Sequence, residues 1–360
     1  AKSKKQKAES RKQKAESKKE NGLKRMDKDR DKNIAKDSES RSKPRVVAVV
    51  GPTGSGKSAL AVALAKHIDG EILSCDSMQI YRGMDVGTGK ITEDEKETIP
   101  HHLLDIADPH EVYSCADYVR DAARCVEDVA SRGKIPIFCG GTGLYLDSLL
   151  CARNFEQPEA CPEYRAELEA LAQSQGNGAV YQLLCRVDPE SAAKIHENNL
   201  RRVIRALEIY RCRGITKSEL DRQSQLKEKR YHSLVIGLRY LDRQALYDRI
   251  DRRVDRMMEQ GLENEVRSLW KSGVFVSNHT AAQAIGYKEM LEFLQGTCTR
   301  DEAVQAIKQA SKHYAKRQMT WFSSHGEVQW IDIDGQPNFE KIINIAVNLF
   351  QSFVNYDIIN

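Results

Sequence analysis

One segment constrains the fold of this chain more than any other. Residues 51–58 read GPTGSGKS, which matches the pattern G-x-x-x-x-G-K-[S/T] in full. A β-branched run precedes it at residues 46–50, and apolar residues at helical spacing follow it at residues 58–68. A strand, a glycine-rich loop and a helix in this order define a P-loop, which binds phosphate groups.

Each residue type of the P-loop has a physical role. Glycines let successive backbone N–H groups converge on phosphate oxygens, and the N-terminus of the following helix adds a favourable dipole. Lys57 supplies a cation, and the Ser58 hydroxyl can bind Mg²⁺. The motif alone does not reveal which phosphate compound is bound.

Strands alternate with helices around this motif. Further strands are predicted at residues 71–75, 135–139 and 234–240, and a helix is predicted at residues 115–132. Such alternation is typical of a parallel sheet with helices on its faces. We therefore predict an α/β fold, with a P-loop NTPase-like parallel sheet flanked by helices.

The strand signals vanish between about residues 155 and 232. Long, charged, amphipathic segments at 163–173 and 200–213 predict a smaller helical insertion domain there. Residues 243–272 and 281–322 again have helical character and are expected to pack on the sheet. The predicted division is a basic disordered arm at 1–44, a transferase core at 45–154 and 233–335, a helical insertion at 155–232 and a C-terminal helical tail at 336–360.

The arm carries the positive charge of the chain. Residues 1–44 hold 17 Lys/Arg against 8 Asp/Glu, whereas the rest of the chain holds 39 against 44. Its near-repeat of KKQKAES and RKQKAES offers almost no apolar residue to bury, which favours disorder. A solvated tail is the preferred interpretation, and phosphate attraction or a localisation signal is the alternative. Any nucleic-acid surface on the folded body must be a local patch.

Composition excludes several classes of protein. The chain has no run of about 18–20 apolar residues, the length that a membrane span needs, and no apolar secretory signal. Its nine cysteines include no C-x-x-C pair, which argues against a disulfide framework and against a zinc site. We expect a soluble, cytoplasmic protein with reduced thiols.

Two strand ends carry candidate catalytic residues. Asp76 directly follows the second predicted strand, and ligands bind at the carboxyl ends of strands in such sheets. Asp76 could hold Mg²⁺ through water, accept a proton from an amine or hydroxyl, or cap a helix, and the residues leave these roles open. The third strand ends in Gly-Gly-Thr-Gly at residues 140–143, without the carboxylate of a motor ATPase. Thr142 could donate its hydroxyl to a phosphate oxygen there.

Two basic segments are candidates for RNA contact. One predicted helix carries Arg201, Arg202 and Arg205. Their like charges destabilise the helix unless a bound anion or salt bridges compensate them. Near the C-terminus, cations alternate with aromatic residues, which suits phosphates and stacked bases. Core packing is the preferred interpretation for Trp321 and Phe322. The second segment contains Lys308, Lys312, His313, Tyr314, Lys316, Arg317, Trp321 and Phe322.

These motifs occur together in a recognisable order. With residues 51–58 they include DSMQIYRGMDVGTGK at 76–90, PHHLLDI at 100–106, GGTGLY at 140–145, RRVIRALE at 201–208, AIGYKE at 284–289 and AKRQMTWF at 315–322. The combination closely resembles the tRNA dimethylallyltransferases, also called tRNA isopentenyltransferases. The similarity runs from about residue 45 to residue 330, and it does not depend on the P-loop alone.

The resemblance implies transfer of a dimethylallyl group from dimethylallyl diphosphate to the N6 amine of the adenosine 3′-adjacent to the anticodon in tRNA. It implies that Asp76 takes the amine proton and that Lys57 and Ser58, with Mg²⁺ as cofactor, neutralise the diphosphate, with Thr142 and Arg253 completing the anion clamp. Ser58 is the expected metal ligand. The diphosphate-binding residues are expected to be Gly51, Pro52, Thr53, Gly54, Ser55, Gly56, Lys57 and Ser58.

The resemblance also implies the contacts with tRNA. The insertion would close around the anticodon stem, and the adenine would leave the stack of the anticodon loop to reach the donor. The expected partners are tRNA and dimethylallyl diphosphate, with no membrane, and we expect a monomer. The expected tRNA-binding residues are Asp76, Ser77, Met78, Gln79, Thr142, Arg201, Arg202, Arg205, Lys316, Arg317 and Gln318.

Three alternatives remain open on the sequence. An adenylate dimethylallyltransferase would use the same donor and fold, but the basic segments at 201–205 and 315–322 favour a tRNA acceptor. A P-loop small-molecule kinase would need only the P-loop and Asp76, and it leaves the insertion unexplained. An RNA-binding protein with a degenerate P-loop conflicts with the intact Lys57 and Ser58.

Overall fold

The computed structural model describes residues 43–151, 161–225, 229–324, 327–334 and 338–359. The disordered arm predicted at 1–44 lies outside these residues except for its last two, and so does the domain boundary predicted at 154/155. Contacts divide the chain into residues 1–43 and 44–360, and all that follows concerns the second unit.

A six-stranded sheet, parallel throughout, organises this unit. Its strand order is β3-β2-β4-β1-β5-β6. Val and Ile dominate the central strands, as expected for strands covered on both faces. The strands are β1 (Arg45–Val50), β2 (Gly70–Ser74), β3 (His101–His102), β4 (Ile135–Gly140), β5 (His232–Tyr240) and β6 (Val328–Ile333).

Sixteen helices occur in the described residues, and their positions confirm the predicted α/β class. Those of the sheet unit are α1 (Lys57–Ile68), α2 (Glu93–Lys96), α3 (Cys115–Ser131), α4 (Gly143–Leu150), α10 (Arg243–Glu259), α11 (Leu262–Lys271), α12 (Val274–Ser277), α13 (His279–Ala282), α14 (Tyr287–Leu294), α15 (Arg300–Ser323) and α16 (Phe339–Ile359). Those of the insertion are α5 (Pro162–Gln175), α6 (Asn177–Val187), α7 (Pro189–Lys194), α8 (Leu200–Arg213) and α9 (Lys217–Gln225).

The alternation of side chains along β1 divides the core into two layers. Val47 and Val49 are fully buried in the cluster that includes α1 and α16. Val46 and Ala48 point the other way and are fully buried in the cluster that includes α3. Successive residues of a strand face opposite sides of the sheet, so one short apolar run anchors both layers.

The insertion has a hydrophobic cluster of its own. Leu168, Val180, Leu184, Val203 and Leu207 are nearly inaccessible to solvent and pack between α5, α6 and α8. The apolar faces of these charged helices therefore pack against one another, which explains why strand signals are missing there.

The structure corrects several predicted elements. The strands β3 and β6 were not predicted. β3 has only two residues, whereas β6 has the alternation of apolar and polar residues that is typical of a half-buried strand, and this signal was missed. The helix predicted at 243–272 is two helices, because Gly261 adopts a left-handed conformation between α10 and α11. The helical region predicted at 281–322 likewise comprises separate helices.

The last helix covers the sheet. The helix α16 packs against α1, and Ile342 and Ala346 are buried in the same cluster as Val47. The segment predicted as a tail thus carries part of the hydrophobic core. Within the described residues, no helix combines the length and the apolar character that crossing a membrane requires.

Candidate active site

A cavity of about 310 Å³ opens at the carboxyl ends of β1, β2 and β4. The chain runs from β1 to β2, which lies two positions away, while β5 lies on the other side of β1. This reversal of direction leaves a crevice, and ligands of parallel α/β sheets bind in such crevices. The cavity is lined by Lys57 and Ser58 of the P-loop and by Asp76 beyond β2.

The P-loop has the conformation that its glycines predict. Gly54 and Gly56 have φ angles of 78° and 94°, which residues with a Cβ atom rarely adopt. Lys57 Nζ donates a hydrogen bond to the carbonyl of Pro52 at 2.9 Å, so the ammonium group lies over the loop. Burial lowers the pKa of Lys57 to about 8, against the opposing effect of nearby Asp76. An anion bound here would restore the charged form.

Gln318 of α15 contacts the P-loop directly. Its Oε1 accepts a hydrogen bond from the backbone N–H of Thr53 at 2.8 Å, and its Nε2 donates to the carbonyl of Gly141 at 3.1 Å. A Cβ on Gly141 would lie 1.8 Å from Nε2, so a larger residue there would displace the Gln318 amide. The sequence predicts a tRNA contact for Gln318, whereas these hydrogen bonds support a role in holding the P-loop.

Asp76 lies in a turn that fixes its side chain. Its Oδ1 accepts a hydrogen bond from the backbone N–H of Met78 at 2.9 Å, the geometry of an Asx turn. No helix begins at this residue, so the helix-capping alternative is wrong. The charges of Lys57 and Arg253 both interact with the Asp76 carboxylate. The Asp76 carboxylate thus lies close to both cations, and all three residues line the cavity.

Thr142 follows β4 and orders the turn beside it. Its Oγ1 accepts a hydrogen bond from the backbone N–H of Ser77 at 3.1 Å, and its hydroxyl interacts with that of Tyr314. Burial raises the pKa of Tyr314, so its phenol stays protonated. Thr142 therefore connects the ends of β2 and β4 to α15.

Two arginines of α10 reach the glycine-rich loops that line the cavity. Arg253 Nη2 donates to the carbonyl of Thr88 at 3.1 Å, and Arg249 Nε donates to the carbonyl of Gly54 at 2.9 Å. A Cβ on Gly89 would lie 2.0 Å from Arg253 Nη2, so a larger residue there would collide with the guanidinium group in its present position. Burial lowers the pKa of Arg253 from its ordinary value, an effect that Asp76 opposes.

The remaining predicted tRNA residues occupy two places. Ser77, Met78 and Gln79 line the cavity, and Gln79 Nε2 donates to the carbonyls of Thr88 and Gly89 at 3.4 Å. Arg317 is an exposed residue of the cavity rim, whereas Lys316 is exposed and is not part of its lining.

The basic residues of the insertion lie on α8. Arg201 and Arg202 are exposed. Arg205 Nη1 donates to the buried Glu208 carboxylate at 2.7 Å, and Arg165 donates to the same carboxylate at 2.8 Å. The Arg165 bond joins α5 to α8, and Arg205 binds the same carboxylate from within α8.

Side chains of the second basic segment also pair with residues of neighbouring helices. Lys308 and Lys312 form ion pairs with Asp255 and Asp251, at 2.6 and 2.8 Å, and so join α15 to α10. Phe322 is buried as predicted, but Trp321 is 36% exposed, and its Nε1 donates to Asp147 at 2.8 Å.

Sequence reasoning missed Glu265 of α11. Its carboxylate accepts hydrogen bonds from the backbone N–H groups of Asp85, Val86 and Gly87 at 2.7–3.0 Å. The hydroxyl of Tyr287 donates to it at 2.6 Å. These bonds hold the glycine-rich segment that forms one wall of the cavity, and no local pattern around Glu265 points to them.

The described residues contain no cluster of three or more His, Cys, Asp or Glu side chains that could enclose a metal ion. The Ser58 hydroxyl and the Asp76 carboxylate are two oxygen donors that line the same cavity. Mg²⁺ usually keeps several waters and binds through one or two protein oxygens together with substrate phosphates. This donor set fits an ion held mainly by a phosphorylated substrate.

Fold and site together define a P-loop-like α/β protein with a cavity that is lined by Lys57 and Asp76 and has the exposed Arg317 at its rim. A family model described as IPP transferase matches residues 79–325, and one described as isopentenyl transferase matches residues 44–113. The tRNA dimethylallyltransferase of Geobacillus thermodenitrificans (strain NG80-2) is 47% identical over 82% of this chain and 92% of its own length. That of Thermoanaerobacter sp. (strain X514) is 43% identical over 87% and 99%.

Solved structures agree with these relatives. A tRNA isopentenylpyrophosphate transferase from Bacillus halodurans is 42% identical, with a TM-score of 0.65 over 88% of this chain and 99% of that one. A eukaryotic dimethylallyltransferase acting on tRNA is 28% identical, with a TM-score of 0.70 over 86% and 80%. The chain belongs to the IPP transferase family, the family of the tRNA dimethylallyltransferases.

Proposed function

We propose that this protein transfers a dimethylallyl group from dimethylallyl diphosphate to the exocyclic N6 amine of the adenosine 3′-adjacent to the anticodon in tRNA. One observation carries the proposal: the Asp76 carboxylate and the Lys57 ammonium group line a single cavity whose rim includes the exposed Arg317. A base and an anion site therefore lie within one cavity. The names of the relatives favour a tRNA acceptor over a free nucleotide or a kinase reaction.

The chemistry follows from the positions of these groups. The N6 nitrogen attacks the allylic C1 carbon as the bond from C1 to the diphosphate oxygen breaks. Asp76 accepts the amine proton, and its Asx turn keeps the carboxylate oriented. Lys57, Arg253 and the P-loop amides stabilise the charge that develops on the departing diphosphate. Burial strengthens these interactions because water is largely excluded.

Ser58 and Asp76 would hold Mg²⁺ on the diphosphate. The ion supplies further neutralisation of the leaving group when it is bound. Asp76 could then act either directly as the base or through a water molecule. The residues of the chain provide the orientation in both cases, since Thr142 fixes the turn that carries Asp76.

The test is transfer of radiolabel from dimethylallyl diphosphate to an anticodon stem-loop with adenosine 3′ of the anticodon. Lys57→Ala should weaken donor binding, and Asp76→Asn should lower kcat by about 10²- to 10⁴-fold. Asp301→Asn, an exposed aspartate at the start of α15, is the matched control. Label on AMP alone would support the adenylate transferase, and ATP hydrolysis without label would support the kinase.

A further inference from the structure

The carboxylate of Glu265 is held by one loop and one phenol. Its Oε2 accepts the backbone N–H groups of Asp85 and Val86 at 2.9 and 2.7 Å. Its Oε1 accepts the backbone N–H of Gly87 at 3.0 Å and the hydroxyl of Tyr287 at 2.6 Å. Successive N–H groups that converge in this way form an anion-binding concavity. In this protein a carboxylate of the chain itself supplies the anion.

Glu265 differs in this respect from its neighbour Glu263 on α11. Glu263 pairs with the guanidinium groups of Arg267 and Arg300, at 2.9 and 3.4 Å. Glu265 has no ion pair with a cationic side chain within the ranges of the chain that the structure describes. The loop amides and the phenol therefore stabilise its charge, and hydrogen bonds to a charged acceptor are about twice as strong as neutral ones.

Packing fixes the helices that carry these two side chains. Val266, next to Glu265, and Tyr287, at the start of α14, are fully buried in one hydrophobic cluster, which Val254 of α10 joins. A Cβ on Gly87 would lie 2.5 Å from the Tyr287 ring, so the loop backbone lies directly against that ring. The loop is thus held against three helices that pack together.

The carbonyl groups that follow in the same loop bond to residues of the cavity. Arg253 Nη2 donates to the carbonyl of Thr88 at 3.1 Å, and Gln79 Nε2 donates to the carbonyls of Thr88 and Gly89 at 3.4 Å. Arg253 lines the cavity together with Lys57. Three anchored N–H groups leave the next two residues little freedom. The bonds to Glu265 therefore determine where the Thr88 carbonyl can hold the guanidinium group.

We propose that Glu265 is a positioning residue for the donor, because it holds the Arg253 guanidinium group, through the loop at 85–89, where the diphosphate binds. The proposal rests on the proposed function, in which Arg253 stabilises the departing diphosphate. Both oxygens of a carboxylate are acceptors, whereas glutamine has one acceptor oxygen and an N–H₂ group that can only donate. Glutamine at position 265 would leave at least one of the loop N–H groups without a partner.

The experiment measures the affinity for inorganic diphosphate by calorimetric titration. Glu265→Gln should weaken binding by about tenfold, the effect of leaving a donor without its partner, and should raise KM for dimethylallyl diphosphate to the same extent. Glu263→Gln is the matched control, since it removes a carboxylate of the same helix that does not line the cavity. It should bind diphosphate as the wild type does.

A double-mutant cycle separates positioning from general support of the fold. Arg253→Lys keeps a cation in the cavity but lacks the planar guanidinium group that bonds to Thr88. In this background Glu265→Gln should weaken diphosphate binding by less than about twofold, because the group through which Glu265 acts is missing. Equal factors in the two backgrounds would overturn the proposal, and so would wild-type affinity in the single variant Glu265→Gln.

Tyr287→Phe is a milder variant that tests the same arrangement if Glu265→Gln does not fold. It keeps the ring against Gly87 and removes only the hydroxyl bond, so diphosphate binding should weaken by about threefold, and only when Arg253 is present. Wild-type affinity would then overturn the proposal, with circular dichroism spectra verifying the fold. Absence of label with the wild-type protein would instead overturn the proposed function, which separates the two failures.

Discussion

The side-chain oxygen of Gln318 accepts a hydrogen bond at 2.8 Å from the backbone N–H of Thr53, a residue 265 positions earlier in the chain. The amide nitrogen of the same side chain bonds to Gly141. One buried glutamine therefore fixes the relative positions of the P-loop, the end of β4 and α15. The phosphate site depends on a residue that is remote in sequence and contributes no charge.

Gln318→Ala should loosen the P-loop, because it leaves the Thr53 N–H and the Gly141 carbonyl without their partners in a buried place. We expect KM for dimethylallyl diphosphate to rise by about tenfold, with a smaller fall in kcat, in steady-state assays. Gly141→Ala should produce a similar change by displacing the amide. Gln305→Ala, an exposed position on the same helix, is the control, and equal effects of all three variants would contradict this role.

Lys57 should give donor binding a characteristic pH dependence. Its pKa in the free protein is lowered to about 8 by burial, so the ammonium form predominates below pH 8 and is lost above it. Donor affinity should be constant from pH 7 to about 8 and should fall as the pH rises further, because binding must then supply the proton. Titrations with dimethylallyl diphosphate across this pH range measure the decrease in affinity. A Lys57→Met variant should bind the donor weakly, and its affinity should not decrease above pH 8.

Arg201 and Arg202 should contact phosphates of the acceptor. Replacing both by glutamine should raise KM for the stem-loop and should reduce the slope of log K against log salt by about 1 to 2, since each neutralised phosphate releases about one counterion. KM for the donor should stay the same. Lys194→Gln, an exposed lysine of the insertion, provides the comparison, and an unchanged salt slope in the double variant would argue against phosphate contact.

Glu71 should stabilise the fold through its partners Arg132 and His102. Hydrogen bonding from Arg132, offset in part by burial, lowers the pKa of Glu71 to about 2, so its stabilising effect is complete above its ordinary pKa and is lost as the pH falls toward 2. Glu71→Gln should reduce the free energy of unfolding at pH 7 by about 2 kcal/mol, allowing for solvent screening at the partly exposed Arg132.

Denaturant titrations of both proteins between pH 7 and pH 3 check this effect. The difference between them should shrink as the pH decreases. Asp128→Asn removes the other, exposed partner of Arg132 and should cost less than about 0.5 kcal/mol. An equal loss in the two variants would mean that burial of Glu71 is unimportant.

The parts of the site that could be predicted from sequence are those that local patterns encode. The P-loop is one continuous segment between a strand and a helix, so its position in the fold follows from eight residues. Asp76 could be located because it directly follows a strand. Gln318 was predicted only as a tRNA contact, and Arg249 and Glu265 were not predicted. Their roles arise from hydrogen bonds between distant segments that leave no periodic signal.

The elements of the fold also differ in how strongly local patterns encode them. The strong apolar runs of β1 and β5 predicted central strands, whereas the edge strand β3 has only two residues and β6 has alternating apolar and polar residues in place of a continuous apolar run. The amphipathic pattern predicted helices correctly, but a glycine such as Gly261, which separates two of them, interrupts the pattern only briefly. Helix existence was therefore easier to predict than helix boundaries.

The insertion between β4 and β5 has a consequence for biosynthesis. The strand β1 pairs with β4 on one side and with β5 on the other, and β5 begins at His232. At a translation rate of about 5–20 residues per second, the second edge of β1 remains unpaired for roughly 5 to 18 s after β4 is made. Open edges of apolar strands promote association between chains. Polypeptides truncated within the insertion should thus aggregate or recruit chaperones, while the completed chain closes that edge itself.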